Sequence, residues 1–298
     1  MFCKNCGKEI QTGNKFCNHC GQKLEIGKFF LLVQWFKYHS KKIFVVACII
    51  FLFILIFCIF KYFLTLFSTK NALTEQSSYN DSLIQEQVAS AVVNLSCYSK
   101  DGSISAGGSG TMMSKEGAIL TNYHVIAKTD VCLVTIPNST TGAPNEMYIA
   151  IPIAVPQLSE EYDIAILEIM GVYTDKNGNS YGVYPNTFNT FARGKDCINY
   201  VAKLGDDIKI YGYPVTSGGS NLTITDGILS SFTDNGLILT SAKVDSGNSG
   251  GIAVSKNGCF VGIPSAVEKG KYQNLGVLIP TNIVIDFLDK AKGQQMGK

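Results

Sequence analysis

An uninterrupted apolar run at residues 43–60 constrains what this chain can fold into more than any other feature of its sequence. The run carries no charged residue and consists almost wholly of Ile, Leu, Val and Phe. A helix rises about 1.5 Å per residue, so an apolar helix of this length can cross a hydrocarbon core of about 30 Å. The amine of Lys61, just beyond the run, can reach the interface. We therefore predict a transmembrane signal anchor at 43–67.

The charges around this run predict its orientation. Lysines crowd its N-terminal side: Lys23, Lys28, Lys37, Lys41 and Lys42. On the other side Lys61 and Lys70 are sparse, so the positive-inside rule places the N-terminus in the cytoplasm and the larger C-terminal part outside it. A cleaved signal peptide fits poorly, because the run starts far from Met1 and no small-residue cleavage site is evident.

Two segments of different character flank the run. Residues 25–42 are basic and aromatic, and aromatic side chains suit the headgroup level of a bilayer. We predict a linker there, with an amphipathic helix packed on protein as the alternative. Residues 68–82 are rich in Ser, Thr, Asn and Gln, which predicts a flexible stalk.

The first 24 residues contain two Cys-x-x-Cys pairs, and a glycine follows each pair. The four thiols belong to Cys3, Cys6, Cys17 and Cys20. Four thiolates in two such pairs can close a tetrahedral zinc site, and metal binding would supply the folding energy that so small a core cannot. We predict a structural zinc ribbon at 1–24. Two disulfides or free thiols are the alternatives, and disulfides are uncommon in the cytoplasm.

The partner of this cysteine segment stays open. A zinc ribbon can bind a protein or a nucleic acid, or cap a terminus. The net charge of +2 makes no bulk electrostatic case for nucleic acid. A cytoplasmic protein partner is compatible with the predicted orientation. His19 lies between two of the cysteines and is predicted to be a bystander.

From about Leu83 the sequence changes to short β-rich segments separated by turns. Many short strands without long helices between them indicate barrels or a sandwich. Residues 171–203 are predicted as a loop-like insertion, Ile283–Ala291 as a closing helix and 293–298 as a tail. The predicted strands are Ala91–Tyr98, Gly108–Met113, Val131–Ile136, Met147–Val155, Asp163–Ile169, Ile208–Tyr213, Leu222–Phe232, Leu237–Val244, Gly250–Val254, Phe260–Val267 and Gly276–Ile279.

A serine lies among small residues at Val244–Gly251, with Gly247 two positions before Ser249 and two glycines after it. A serine hydroxyl is a poor nucleophile unless a base takes its proton, and acyl transfer needs N–H donors for the oxyanion. Glycine accepts backbone angles that let a tight turn aim several N–H groups into one space. The N–H groups of Gly247 and Ser249 are the candidate donors. A tight hairpin without chemistry is the alternative.

The base and its orienting acid can be sought in the same part of the chain. Of the three histidines, His19 lies among the cysteines and His39 at the edge of the apolar run, which leaves His124. His124 follows an apolar strand that begins at Ala118. A buried acid should orient its imidazole, and Asp163 opens an apolar stretch where an aspartate has little structural reason to be.

These residues carry a resemblance to a known family. The stretches Gly-Asn-Ser-Gly-Gly (247–251), Thr-Asn-Tyr-His-Val-Ile (121–126) and Asp-Ile-Ala-Ile-Leu (163–167) resemble the three motifs of trypsin-like serine peptidases, in the His, Asp, Ser order of that family. The nearest branch is the bacterial HtrA (Deg) type. Gly107–Thr111 and Leu275–Pro280 match it as well, and the resemblance covers about 83–292.

The resemblance implies a mainly β fold of two six-stranded barrels with a closing C-terminal helix. It implies that His124 is the general base, Asp163 its orienter and Ser249 the nucleophile. His124 and Asp163 would come from the first barrel and Ser249 from the second. Gly247 and Ser249 would form the oxyanion hole, helped by Asn248. The expected activity is endopeptidase cleavage of proteins or peptides, without a catalytic metal, in protein quality control outside the cytoplasm.

Specificity and regulation follow from the same resemblance. Lys243 would approach the primary specificity pocket and favour an acidic side chain, with a solvated surface lysine as the alternative. Gly262, Ile263 and Ser265 would pair with the substrate backbone, although Pro264 among them has no N–H. Asn248 replaces the aspartate that a freed N-terminus holds in trypsin, so no activating cleavage is expected. No PDZ domain is expected after the barrels.

Four cysteines fall in the region of the predicted barrels: Cys97, Cys132, Cys197 and Cys259. An even number in an exported domain allows disulfides. We predict pairing within the first two and within the last two, with buried free thiols as the alternative.

Two other classes of function remain. One is a catalytically silent, membrane-anchored binding protein on a protease fold. The other is a sensor or adaptor whose zinc ribbon carries the main function. An oligomer is compatible with each of these.

Overall fold

A computed structural model describes residues 2–11, 13–24, 28–103, 105–137, 145–153, 156–191, 197, 200–265 and 275–296. The chain divides into two compact units, Met1–Gln76 and Ser77–Lys298. The last two residues of the predicted strands Met147–Val155 and Phe260–Val267 lie outside the described residues. So do residues 25–27 of the predicted linker and 297–298 of the predicted tail.

One long helix, α1 (Lys28–Ser90), contains the apolar run. It also runs through most of the predicted linker and through the whole of the predicted stalk, whose backbone is helical. The sequence holds neither glycine nor proline between residues 28 and 90, so nothing local breaks the helix. Among the described residues it supplies one segment long and apolar enough to cross a membrane, Phe44–Thr65, with a mean hydropathy of 3.1.

The first half of the second unit is a closed six-stranded antiparallel barrel. Its strands, in the spatial order β1-β2-β3-β6-β5-β4, are β1 (Val92–Tyr98), β2 (Ser105–Met112), β3 (Ala118–Thr121), β4 (Val131–Ile136), β5 (Glu146–Pro152) and β6 (Ala165–Val172). Leu95, Val134 and Leu167 point inward and are almost fully buried. Two short helices interrupt the strands, α2 (Tyr123–Ile126) after β3 and α3 (Pro156–Tyr162) before β6.

The second half forms another closed barrel, in the spatial order β10-β11-β12-β9-β8-β7. It is followed by the helix α4 (Thr281–Met296). The strands are β7 (Asp207–Gly212), β8 (Thr223–Phe232), β9 (Ile238–Thr240), β10 (Ile252–Ser255), β11 (Phe260–Ser265) and β12 (Gly276–Pro280).

The predicted fold class is confirmed, with changes at particular elements. The predicted strand Leu237–Val244 is paired only over β9, because its C-terminal part belongs to the loop that leads to Ser249. The predicted strand at Asp163 begins two residues later, since α3 precedes it. The closing helix α4 is longer at both ends than predicted.

A shared hydrophobic cluster holds the barrels and the closing helix together. It joins Leu120 of β3, Tyr211 of β7, Ile263 of β11 and Phe287 of α4, all almost fully buried. Val88, near the end of α1, packs into the same cluster. The groups that each barrel presents at their junction therefore share one rigid core.

Both predicted disulfides are present. Cys97 and Cys132 lie directly opposite each other on β1 and β4, and Cys197 is bonded to Cys259. All four residues are nearly fully buried. Each bond therefore sits inside the packed domain rather than on its surface.

Candidate active site

His124 and Asp163 meet at one end of the first barrel. His124 belongs to α2, one turn beyond β3, and Asp163 follows α3. The Nδ1 atom of His124 lies 2.9 Å from both Asp163 carboxylate oxygens. The backbone N–H of His124 also donates to Asp163 Oδ1, at 3.0 Å. The carboxylate thus fixes both the backbone and the ring of His124.

The backbone of Asp163 has an uncommon conformation. Its φ is 51°, in the left-handed region that costs an L-residue roughly 1 kcal/mol and that aspartate tolerates better than most residues. The side-chain amide of Asn122 stabilises this conformation. It donates to the Asp163 carbonyl at 2.9 Å and to Oδ2 at 3.2 Å. Asn122 is almost fully buried, so this tie between the ends of β3 and α3 is protected from water.

Ser265 contacts the same carboxylate from the second barrel. Its hydroxyl donates to Asp163 Oδ2 at 3.0 Å. Ser265 is predicted from the family resemblance to bind substrate, whereas the structure places its side chain on Asp163. Ser265 lies 102 residues from Asp163 along the chain, so no local pattern predicts this contact. Asn122 was missed as well, although it stands two residues before His124.

The loop between β9 and β10 carries Ser249, which is 3% exposed. Gly247 and Gly250 on either side of it have φ values of 99° and 83°. A Cβ atom on Gly250 would lie 2.1 Å from Thr121 Oγ1 and 2.2 Å from the Ser109 carbonyl. The loop therefore packs so closely on the first barrel that only glycine fits at position 250.

Two hydrogen bonds fix the directions of the candidate oxyanion donors. The Ser246 carbonyl accepts the N–H of Val215 at 2.9 Å, and the Asn248 carbonyl accepts the N–H of Gly251 at 3.0 Å. In a trans peptide the N–H points away from the carbonyl of the same unit. The N–H groups of Gly247 and Ser249 are therefore directed away from these two partners, by peptide units that are themselves held.

Ser109, on β2, ties the Ser249 loop to the first barrel. Its hydroxyl donates to the Gly247 carbonyl at 2.6 Å and accepts the N–H of Tyr213 at 2.8 Å. Its own N–H donates to the Ser249 carbonyl at 2.8 Å. Ser109 is fully buried. The stretch Gly107–Thr111 is part of the family resemblance, but no role is predicted for Ser109 from it.

The other predicted binding residues are placed as follows. The Lys243 amine is exposed and forms an ion pair of 2.7 Å with Asp245, as a surface lysine does. Asn248 lies in the same loop as Ser249 and is 2% exposed. Gly262 and Ile263 are buried in β11, paired with β12. The structure therefore brings Asn248 into the site with Ser249 and leaves Gly262 and Ile263 inside the barrel wall.

The four N-terminal cysteines also converge, within the first unit. The sulfur atoms of Cys3 and Cys20, and those of Cys6 and Cys17, are 3.7 Å apart, and all four lie within 4.8 Å of one another. A hydrogen bond from the backbone of Gln22 lowers the pKa of the Cys20 thiol to about 6. The cluster therefore favours at least one thiolate near neutral pH.

Comparison with known protein families decides the identity of the second unit. The trypsin-like peptidase domain matches residues 108–263, which span Ser109, His124, Asp163 and Ser249. The chain belongs to the trypsin-like peptidase family. A zinc-ribbon domain matches residues 2–24, the cysteine segment.

Several curated relatives of this trypsin-like chain are similar across the barrels. The magnetosome formation protease MamE of Magnetospirillum gryphiswaldense is 27% identical over 186 residues, which are 59% of this chain and 21% of the relative. The serine endoprotease DegS of Haemophilus influenzae is 29% identical over 197 residues, 61% of this chain and 49% of the relative. The chain thus spans between about a fifth and a half of the length of these two relatives.

A solved structure shares the fold of this trypsin-like domain. The crystal structure of the serine endoprotease from Yersinia pestis superposes with a TM-score of 0.53 at 26% sequence identity. The match covers 71% of this chain and 66% of the other. The double barrel is therefore an HtrA-type peptidase fold.

Proposed function

We propose that this chain is a membrane-anchored serine endopeptidase that hydrolyses peptide bonds through His124, Asp163 and Ser249. The observation that carries the proposal is the arrangement of His124, whose Nδ1 lies 2.9 Å from both Asp163 carboxylate oxygens. A histidine held in this way offers its other ring nitrogen as a base of fixed orientation. Ser249 stands in a glycine-rich loop that is packed against the same barrel end.

The reaction is acyl transfer in two steps. The Nε2 atom of His124 takes the hydroxyl proton of Ser249 as the Ser249 oxygen attacks the substrate carbonyl carbon. The N–H groups of Gly247 and Ser249, with the loop supported by Asn248, stabilise the oxyanion. His124 then gives the proton to the leaving amine. A water molecule, deprotonated by His124, releases the acyl group and restores the Ser249 hydroxyl.

The groups around Asp163 support its part in this scheme. It accepts hydrogen bonds from the backbone N–H of His124, from the Asn122 amide and from the Ser265 hydroxyl. Because these partners all donate, the side chain acts as a carboxylate. The Nδ1 atom of His124 must then carry a hydrogen, which leaves Nε2 free to accept the serine proton.

The proposed substrates are proteins or peptides. The two relatives are a serine endoprotease and a magnetosome formation protease, and both names indicate peptide-bond cleavage. A role in protein quality control outside the cytoplasm is part of the proposal. Lys243 and the strand of Gly262 and Ile263 remain proposed contributors to substrate binding, the first with its amine shared with Asp245.

A fluorophosphonate probe tests the catalytic proposal most directly. The full chain in detergent is treated with the probe beside the variants Ser249→Ala and Ser246→Ala. Labelling of the parent and of Ser246→Ala, but not of Ser249→Ala, is the expected result. Ser246 lies in the same loop, so it is the matched control. A folded parent that takes no label would instead favour the silent binding protein.

The distribution of cysteines supports the proposed orientation in the membrane. The cysteines that form disulfides are those of the double barrel, whereas the cysteines of the N-terminal segment are free thiols. Disulfides persist in oxidising compartments and thiols in the reducing cytoplasm. We therefore place the N-terminal segment in the cytoplasm, the helix segment Phe44–Thr65 across the bilayer and the barrels outside.

Proteolysis of intact spheroplasts tests this orientation. Externally added proteinase K should digest the barrels and leave an N-terminal epitope tag protected on a small fragment. Permeabilised cells, in which the tag is also lost, are the control. Protection of the barrels in intact spheroplasts would reverse the topology.

The N-terminal segment is proposed to hold one structural Zn²⁺ with Cys3, Cys6, Cys17 and Cys20. Tetrahedral coordination at about 2.3 Å per Zn–S bond places the sulfur atoms roughly 3.8 Å apart. The 3.7 Å sulfur separations fit that geometry. The ion would supply folding energy to the segment and takes no part in peptide hydrolysis.

The proposal also concerns the binding partner of the zinc ribbon. A cytoplasmic protein is its proposed partner. Deleting residues 1–24 should leave Ser249 labelling intact and remove whatever response the ribbon provides. Unchanged targeting, activity and regulation after the deletion would make the ribbon dispensable.

A further inference from the structure

Tyr162, the residue immediately before Asp163, is hydrogen-bonded to the C-terminal helix. The hydroxyl of Tyr162 donates a hydrogen bond to Asp286 Oδ2 and accepts one from the Lys290 amine. Asp286 and Lys290 stand one turn apart on α4 and form an ion pair of 2.9 Å. The three polar groups therefore close a ring of contacts between α3 and α4. We call Tyr162, Asp286 and Lys290 the α4 clamp.

The clamp has a rigid apolar base. The ring of Tyr162 packs against Phe287, with 6.0 Å between the ring centroids. Phe287 is fully buried in the cluster that joins the two barrels. The Lys290 amine also lies 5.1 Å from the centre of the Tyr162 ring. The end of α3 is therefore fixed to the core through the ring as well as through the hydroxyl.

The charges of the clamp are complementary. The hydrogen bond from Tyr162, and after it the one from Lys290, lowers the pKa of the Asp286 carboxyl. The hydrogen bonds with Tyr162 and Asp286 raise the pKa of the Lys290 amine. Both groups are therefore charged through the neutral range, where a serine peptidase needs its aspartate in place.

The backbone of Asp163 explains why such a clamp is needed. A left-handed residue reverts easily to a common backbone conformation unless its neighbours are held. Asn122 holds the carbonyl of Asp163 from the first barrel. The α4 clamp holds the preceding residue from the C-terminal helix. A change of φ at Asp163 would carry its carboxylate away from His124.

We propose that the α4 clamp is a positioning device for Asp163, and that Tyr162, Asp286 and Lys290 act on catalysis through the orientation of this carboxylate. This inference rests on the proposed function of His124, Asp163 and Ser249. The clamp acts on an aspartate that contacts the base rather than the substrate. Loosening it should therefore lower kcat and leave KM unchanged.

The test compares Tyr162→Phe with Tyr200→Phe in the full chain. Tyr162→Phe keeps the ring and its contact with Phe287 but removes the hydroxyl. A 1 Å misplacement in a catalytic site can cost roughly 100-fold, so a partial loosening predicts a fall in kcat of about 10-fold. The hydroxyl of Tyr200 also donates to a carboxylate, Asp206, at 2.9 Å. Tyr200→Phe therefore loses a similar bond away from α4 and should retain the parental kcat.

A double variant separates positioning from general destabilisation. Asp286→Ala removes the acceptor of the Tyr162 hydroxyl and should reproduce the loss of kcat. Combined with Tyr162→Phe it should add little, because both changes break the same contact. Asp286→Asn keeps an acceptor oxygen and should restore most of kcat. If Tyr162→Phe fails to fold, the exposed Lys290→Gln supplies the same comparison.

The outcomes distinguish this inference from the proposed function. A parental kcat in Tyr162→Phe, or a loss that appears only in KM, overturns the clamp while labelling of the parent at Ser249 upholds the peptidase. A folded parent that takes no fluorophosphonate overturns the peptidase and the clamp with it. Equal loss of kcat in Tyr162→Phe and Tyr200→Phe also overturns the clamp, since it would report stability alone.

Discussion

The cysteine segment at 2–24 and the double barrel differ in how their cysteines are bonded. In the segment four free thiols converge on one point, and two of them, Cys3 and Cys17, form with Ile10 the small buried cluster of the described residues there. In the barrels the four cysteines are bonded in pairs and nearly fully buried, and Cys97 and Cys132 lie within a large hydrophobic cluster. The first arrangement brings four sulfur ligands together in a small segment. The second reinforces a core that exists already.

This difference accompanies a difference in size and, in the proposed topology, a difference in compartment. A segment of some two dozen residues cannot bury enough apolar surface to fold alone, and the proposed zinc ion would supply the missing free energy. The barrels bury apolar residues from twelve strands and use disulfides only as an addition. Reduced thiols on one side of an apolar helix and disulfides on the other are what a chain crossing from a reducing to an oxidising compartment would contain.

Removal of zinc should give the largest effect and should be confined to the segment. Structural zinc in such segments is worth about 10–16 kcal/mol of apparent binding free energy, so a strong chelator should unfold it. Limited trypsin digestion should then cleave at its lysines: Lys4, Lys8, Lys15 and Lys23. Serine labelling of the barrels should not change. The control variant Cys48→Ser loses a thiol of the apolar helix rather than of the segment, and it should leave the trypsin digestion of the segment unchanged. Slower labelling after chelation would show that the two regions depend on each other.

Among changes in the double barrel, Asp163→Asn should produce the largest loss of kcat. The amide cannot fix the His124 tautomer as a carboxylate does, and the equivalent change in other triads costs on the order of 10⁴-fold in kcat. Zinc content, measured by atomic emission, should be unaffected. Asp245→Asn removes a carboxylate that pairs with Lys243 and should keep kcat on uncharged peptides. Near-parental activity of Asp163→Asn would remove Asp163 from the proposed mechanism.

Loss of a disulfide should weaken the barrels by a moderate amount. Cys97 and Cys132 close a loop of 35 residues, for which chain entropy predicts about 4 kcal/mol. The pair Cys97→Ala and Cys132→Ala should therefore lower the denaturant midpoint of the barrels, as should a reductant acting on the parent. Changing Cys48 and Cys58 to alanine should not. If the reductant left the denaturant midpoint of the parent unchanged, that result would contradict the contrast between disulfides in the barrels and thiols in the segment.

The smallest predicted effect concerns the packing of the Ser249 loop. Gly250→Ala places a Cβ against Thr121 and Ser109, and overpacking of this kind costs about 1–3 kcal/mol. Serine labelling should slow, because the loop must shift. Gly236→Ala is a matched control, since its φ of 82° is similar but a Cβ there meets nothing within 4 Å. Equal effects of the two changes on Tm and labelling would assign the cost to φ alone.

The sequence determined the parts of this protein whose signal is local. The apolar run, the two Cys-x-x-Cys pairs and the stretches around His124, Asp163 and Ser249 each identify themselves over a few residues. The length of an apolar helix, the spacing of four cysteine ligands and a glycine-rich turn each depend on residues that are close together in the sequence. The strands were predicted for the same reason, because residue types that favour strands mark them within a few positions.

Local reasoning did not predict helical backbone where composition and chain continuity pointed in different directions. The polar composition of 68–82 indicated a flexible stalk. The absence of glycine and proline instead lets α1 continue to Ser90. The helix α3 was missed because it is only seven residues long and lies beside a strand. Both cases concern segments whose state is set by their neighbours rather than by their own residue types.

Only the tertiary structure decided which distant groups support the proposed site. Ser265 reaches Asp163 across 102 residues, Ser109 reaches Gly247 across 138, and Tyr162 reaches Asp286 across 124. Each contact exists because two closed barrels and a terminal helix bring their ends together around one shared core. A hydrogen bond depends on position to within a few tenths of an ångström. Sequence spacing fixes position only within one element, so such contacts appear only when the whole fold is assembled.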